Sequence, residues 1–263
     1  MNKSIADSGK AFRTSFDKLC YRRNWHDAFR DFIEIAACTI HQQPYHLGLL
    51  EKDDDYERIE ELYLSTIKKY NREEIDQIVA LYGISVIALR STQEDFLGEQ
   101  YMQLEISNKH NGEFFSPSNI SRMMAKMQMS GLGELIKAKG YVTLQEPACG
   151  AGVMVIEAAN ALRDEGHDPR CTMLFQAIDI NRTCFNMAYF QLAALELPGV
   201  VIHGDTLRME HWDKRSTPQW KLMQQHGVSG NLLPAFELPP RPEPEPQIVM
   251  PPPQQTAQFM FEF

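Results

Sequence analysis

The sequence predicts an α/β fold: a mainly parallel sheet, with a helical region before it and an extended proline-rich tail after it. Three observations carry this. Short runs of apolar and β-forming residues, Tyr141–Glu146, Met173–Ile178 and Val200–His203, alternate with helical segments Val153–Asp164 and Arg182–Glu196. Strands alternating with helices imply βαβ units. The first hundred residues read as helices. Nine of the fifteen prolines lie between Pro234 and Pro253, where neither a helix interior nor a central strand can be sustained. The expected division is a helical unit over 1–110, an α/β unit over 111–230 and an extended tail over 231–263.

The helical unit follows from apolar spacing. Phe16, Leu19, Cys20, Trp25, Phe29, Phe32, Ile33 and Ala36 predict one helix from Phe16 to Ile40. Asp53–Asp55 stand before a second, Tyr56 to Tyr70, where acids suit the positive end of the helix dipole. A third is expected from Arg72 to Tyr82, a fourth from Ser85 to Arg90 and a fifth from Asp95 to Leu104. A helix capped near Ser118 and running to Met129 precedes the first strand. The tail reads as a polyproline-like linker, and its last residues, Gln258–Phe263, are apolar enough to dock as an edge strand or on a partner.

Composition limits the function classes. The chain has 263 residues, 43% hydrophobic and 23% charged, which excludes global disorder. Its net charge of −9 argues against coating nucleic acid by bulk electrostatics. A local surplus of four positive charges over residues 1–30 leaves room for a basic face. The longest charge-poor stretches, Ile35–Leu50 and Thr183–Leu195, fall short of the roughly 20 apolar residues of a membrane span. The N-terminus lacks an apolar signal core. Five dispersed cysteines without a CxxC pair suggest neither zinc nor disulfides. A cytoplasmic protein without a metal or a membrane partner is expected.

The chemistry is concentrated at three strand ends. After the first strand, Glu146-Pro147-Ala148-Cys149-Gly150-Ala151-Gly152 forms a glycine-bearing turn into a helix. Gly150 and Gly152 let backbone approach a ligand at the carboxyl end of a parallel strand. About thirty residues on, Asp179 closes the second strand and can accept hydrogen bonds from both ribose hydroxyls of an adenosine. Asp205, closing the third, can accept from an exocyclic amine such as adenine N6. A dinucleotide-binding dehydrogenase is disfavoured because the turn lacks the third glycine of GxGxxG.

These residues resemble S-adenosylmethionine-dependent DNA adenine-N6 methyltransferases, and among them the modification subunits of type I restriction systems. Gly112-Glu-Phe-Phe-Ser-Pro117, Asp95-Phe-Leu-Gly98 with Tyr101, and His203-Gly-Asp-Thr-Leu207 resemble that family's flanking segments, and the likeness runs from about Asp95 to Leu207. It implies a Rossmann-like methyltransferase sheet, S-adenosylmethionine as cofactor, and DNA and a restriction–modification subunit as partners. It further implies that Gly150 and Gly152 lie under the methionine moiety, within the Glu146-Pro147-Ala148 loop. Glu146 stands where the family usually has Asp, and would hold the amino group or a bridging water. Asp179 would bind ribose, Asp205 the adenine amine, and Phe115, Ser116 and Pro117 would close the amino-acid end.

The sequence departs from the family at the methyl acceptor. No Asn/Asp-Pro-Pro-Phe/Tyr tetrapeptide is present; Asn231-Leu-Leu-Pro234 and Leu238-Pro-Pro240 do not match it. His211, Trp212 and Trp220 lie in the right region, but packing or surface roles account for them. No catalytic residue can be named, and the sheet is expected to be incomplete. Two functions therefore stand: adenine-N6 methyl transfer to DNA, or a catalytically inactive module that binds DNA or a restriction–modification partner. A methyltransferase with another acceptor is a third, weaker reading.

Overall fold

The computed structural model describes residues 3–104 and 118–225, with side chains from Asp7 onward. Phe115, Ser116, Pro117 and the tail motifs around Asn231 and Leu238 lie outside them.

Five helices come first: α1 (Lys3–Leu19), α2 (Trp25–His46), α3 (Asp54–Ile67), α4 (Arg72–Thr92) and α5 (Phe96–Gln103). The single helix expected over Phe16–Ile40 is broken. A 3₁₀ turn at Cys20–Arg22 follows α1, Arg23 is extended, and the Asn24 side chain accepts from the amides of His26 and Asp27 to start α2. Apolar spacing persists across the break, so the cap decides the boundary. Asp53 caps α3 through the amide of Tyr56. Asn71 and Glu74 form a reciprocal capping box on α4.

The two helices expected between Arg72 and Arg90 are one. Gly83 costs about 1 kcal/mol of helix propensity, too little to break a helix that buries Ile78, Leu81, Ser85, Ala88 and Leu89. A Cβ at Gly83 would meet nothing within 4 Å. Gly83→Ala is therefore expected to raise stability by about 0.5–1 kcal/mol in urea melts. Among the described residues, α4 is the one helix long and apolar enough to cross a membrane, with a mean hydropathy of 1.2.

The second half contains α6 (Ser118–Met129), α7 (Gly133–Lys139), β1 (Val142–Glu146), α8 (Val153–Asp164), α9 (Pro169–Thr172), β2 (Met173–Asp179), α10 (Arg182–Ala194), β3 (Gly199–Asp205), β4 (Glu210–Ser216) and α11 (Pro218–Gln225). The sheet has the order β1-β2-β3-β4. The first two pairings are parallel, in register Val142↔Met173 and Phe175↔Gly199, and β4 runs antiparallel to β3. The sheet is thus α/β and mainly parallel, as expected, with one added edge strand.

Alternation along β2 and β3 separates two apolar layers. Leu174, Ile178, Val200 and Ile202 pack under Trp220 and Met223 of α11. Met173, Phe175, Ala177 and Val201 face the other way, into a core that continues through α8 and α10 to Phe12, Phe29 and Phe32 of the first helices.

Polar contacts also tie the helices to the sheet. Arg182 donates to Glu34 at 2.9 Å. The Nδ1 of buried His41 lies 2.7 Å from the Tyr189 hydroxyl, which donates to the Ser216 carbonyl at 3.1 Å. The phenol has one proton, so His41 donates to it from Nδ1.

Candidate functional site

The parallel order brings the carboxyl ends of β1, β2 and β3 side by side, where a doubly wound sheet binds ligands. Pro147 to Gly152 join β1 to α8. Gly150 has φ +54° and Gly152 φ +97°, a left-handed conformation open to glycine at little cost. The Gly152 amide donates to the Cys149 carbonyl at 2.8 Å, and the Cys149 amide to the Ile178 carbonyl at 2.9 Å. The turn therefore lies against the end of β2.

Asp179 and Gly150 meet there. The Gly150 amide donates to Asp179 Oδ2 and the Asn181 amide to Oδ1, each at 2.8 Å. Both oxygens of the Asp179 carboxylate are thus held in a fixed orientation at the end of β2. Asn181 then caps α10 through the amides of Thr183 and Cys184. Glu146 is half-buried and accepts from the Ala148 amide at 3.2 Å. Pro147 and Ala148 are exposed. Asp205 holds its own turn, accepting from the amides of Leu207 and Arg208 at 2.9 and 3.1 Å. Next to it, Thr206 donates to the Pro147 carbonyl at 2.6 Å. That bond ties the end of β3 to the loop after β1.

Two apolar side chains flank these strand ends. Ile180 is 59% exposed and Leu207 96% exposed. The Ile180 carbonyl accepts from His203 Nε2 at 3.1 Å. Burial lowers the His203 pKa, and the Arg182 charge lowers it further, so the ring stays neutral below the usual histidine range. Trp212 stands edge-on to it with ring centres 4.9 Å apart. Trp212 and exposed His211 belong to β4, and buried Trp220 to the core under α11. Among the described residues, no group of three or more His, Cys, Asp or Glu side chains is placed to hold a metal.

A comparison of sequences decides the family. The profile of the N-6 DNA Methylase family matches residues 92–261, more than half of the chain. The chain belongs to the N-6 DNA methylase family. The match includes α5, the glycine turn, Asp179 and Asp205. This family member is 23% identical over 128 residues to the type I restriction enzyme MpnII methylase subunit of Mycoplasma pneumoniae; the alignment covers 46% of the chain and 22% of that relative. The chain thus spans about a fifth of the curated relative it matches.

Solved structures include a modification subunit assigned to a type I restriction enzyme of Vibrio vulnificus. It shows 13% identity and a TM-score of 0.47, with 79% of this chain and 57% of that one covered. A protein of Listeria monocytogenes assigned as a class I S-adenosylmethionine-dependent methyltransferase gives 16% identity and 0.43, covering 79% and 55%.

Sequence reasoning missed several residues at these strand ends of the N-6 DNA methylase family member. Asn181 had a local signal, being a capping residue directly after a strand-end acid. Thr206 had none, because its partner Pro147 is 59 residues away. Gln191, like Asn186, interrupts an otherwise apolar helix, which signals a buried hydrogen bond but not its partner.

Proposed function

We propose that this chain binds S-adenosylmethionine at the ends of β1, β2 and β3 and serves methyl transfer to adenine N6 in DNA. The observation that carries the reading is the loop itself. Within a chain of the N-6 DNA methylase family, a glycine turn with two positive-φ residues donates an amide to Asp179 at 2.8 Å.

The residues present fit that cofactor. Asp179 places an oriented carboxylate at the end of β2, suited to vicinal hydroxyls, and Asp205 offers a carboxylate beside an exposed apolar residue. Gly150 and Gly152 are assigned to the methionine moiety by resemblance, with the Cβ position of Gly152 turned towards Ala188 and Leu192 of α10, and Glu146 is assigned to its amino group or a water. When bound, the sulfonium supplies an electrophilic methyl group. The chain's own part is to bind and orient: Asp179 holds ribose, Asp205 selects an amine at the ring edge, and Ile180 and Leu207 shield the ring from water. Phe115, Ser116 and Pro117 are assigned to the amino-acid end by resemblance. The partners proposed are DNA and a further restriction–modification subunit.

A second reading rests on a specific observation. The sequence contains no Asn/Asp-Pro-Pro-Phe/Tyr tetrapeptide, whose polar group would accept from the target amine and whose ring would stack on a flipped base. Under this reading the chain is a binding module, and another subunit provides the acceptor contacts.

Calorimetric titration tests the cofactor site. S-adenosylmethionine is expected to bind the wild type, and Asp179→Ala to weaken it by about 1–3 kcal/mol, as for a hydrogen bond to a charged group. A folded wild type that binds none overturns the site. Methylated adenine in DNA from expressing cells supports the enzyme. Binding without methylation, restored by a co-expressed subunit, supports the module.

A further inference from the structure

Gln191 lies in the last turn of α10 and is fully buried. Its Oε1 accepts from the Leu97 amide at 2.9 Å. Its Nε2 donates to Asp95 Oδ1 at 2.7 Å and to the Ala151 carbonyl at 2.8 Å. Both protons and the oxygen are engaged, so the amide has one orientation. Asp95 is itself 4% exposed and caps α5 by accepting from the Gly98 amide at 2.9 Å. A Cβ at Gly98 would stand 2.2 Å from Asp95 Oδ2, so only glycine lets the carboxylate turn inward to Gln191.

The third contact reaches the centre of the glycine turn. Ala151 lies between Gly150 and Gly152, both at positive φ. Its carbonyl goes to Gln191, and the amide of the same peptide group, on Gly152, goes to Cys149. That peptide plane is pinned from both sides. Glycine loses more conformational freedom on ordering than any other residue, so a turn built on two glycines needs such a clamp to be preorganised. Binding is stronger when the ordering cost is met before the ligand arrives.

We propose that Gln191, held by Asp95, is the positioning residue of the cofactor loop, and that α5 sets the loop's conformation through it. This rests on the reading of residues 147–152 as an S-adenosylmethionine site. The consequence is a coupling between two parts of the chain. Movement of α5 changes cofactor affinity without touching the cofactor.

The test uses the full chain with three substitutions. Gln191→Met keeps side-chain volume and removes the donors. Asp95→Asn keeps an acceptor for Gly98 and Gln191. Tyr189→Phe removes a buried bond on the same helix, away from the loop. Calorimetry with S-adenosylmethionine is expected to show roughly tenfold weaker binding for Gln191→Met and less than about threefold change for the other two, the scale of one or two lost hydrogen bonds. Hydrogen exchange without ligand is expected to quicken at Gly150–Gly152 in Gln191→Met alone.

Wild-type affinity and loop exchange in folded Gln191→Met overturn the proposal. So does equal weakening by Tyr189→Phe at a matched loss of melting temperature. If Gln191→Met does not fold, Asp95→Ala against Asp95→Asn makes the same comparison. A wild type that binds no S-adenosylmethionine removes the cofactor reading, while loop exchange still decides whether Gln191 holds the turn.

Discussion

Asp213→Leu is expected to destabilise the protein by about 3–5 kcal/mol, the range for removing one partner of a buried ion pair. Three arginines converge on this carboxylate: Arg182 at 2.7 Å, Arg58 at 3.0 Å and Arg215 at 3.4 Å. Arg215 is fully buried, with its guanidinium 5.0 Å from the Phe185 ring centre. Without Asp213, Glu34 on Arg182 and Asp55 on Arg58 remain as counter-ions, while Arg215 is left, among the described residues, with the Asn186 side-chain Oδ1 at 3.2 Å.

The reverse change is expected to cost far less. Arg215→Met leaves Asp213 with two arginines and removes a buried Nε that has no hydrogen-bond partner. Replacing a buried charge with an apolar group of similar shape is often neutral. Urea melts of the two variants check this asymmetry, and equal losses would contradict it. Burial pushes the Asp213 carboxyl up, but the charges of Arg215, Arg182 and Arg58 outweigh burial and hold it low. The folded value lies below the unfolded one, so this stability is present above about pH 4 and is lost as pH falls through the folded value.

His41 gives the second large effect, through pH. Burial lowers its pKa; the Asp55 hydrogen bond opposes this, and the Lys221 charge adds to the lowering. The neutral ring donates from Nδ1 to Tyr189. Lys221 lies 3.4 Å from its Nε2, donates to Tyr45 at 2.6 Å and pairs with Asp55. As pH falls below about 6.5, the unfolded chain takes up a proton at His41 that the folded chain does not. Stability should then fall by up to about 1.4 kcal/mol per pH unit for this group until the folded value is reached. His203, also lowered, adds to the slope. His41→Asn should flatten the slope between pH 7.5 and 5.5 while lowering stability at pH 7.5. An unchanged slope would show that His41 is protonated in the fold.

The sheet was legible in the sequence where burial is two-sided. Met173 to Ile178 are buried without interruption, so β2 shows as an apolar run broken only by Gln176. β4 was invisible for the opposite reason. Its residues, Glu210 to Ser216, are mostly polar or charged, and it is held by the β3 ladder and by ion pairs. The break at Asn24 was hidden because helical spacing continues through it. Glu146, Gly150, Asp179 and Asp205 could be placed at strand ends because each follows its strand directly. What joins them could not be read. Thr206 to Pro147 and Gln191 to Ala151 are long-range pairings that exist only after the sheet has set their register.

The sheet's two outer edges differ in kind. β4 presents Glu210, His211 and Lys214, the charged and polar composition that discourages another strand from adding. β1 pairs only with β2 among the described residues, and it carries no Lys, Arg or Pro, with Thr143 and Gln145 exposed. By edge chemistry the two margins are therefore unequal, and β1 offers less resistance to an added strand than β4. A strand that joins the sheet at β1 lies alongside the segment that runs straight into Pro147–Gly152. A strand added there would lengthen the sheet and, by the same step, stand beside the entrance to the glycine turn that β1 leads into.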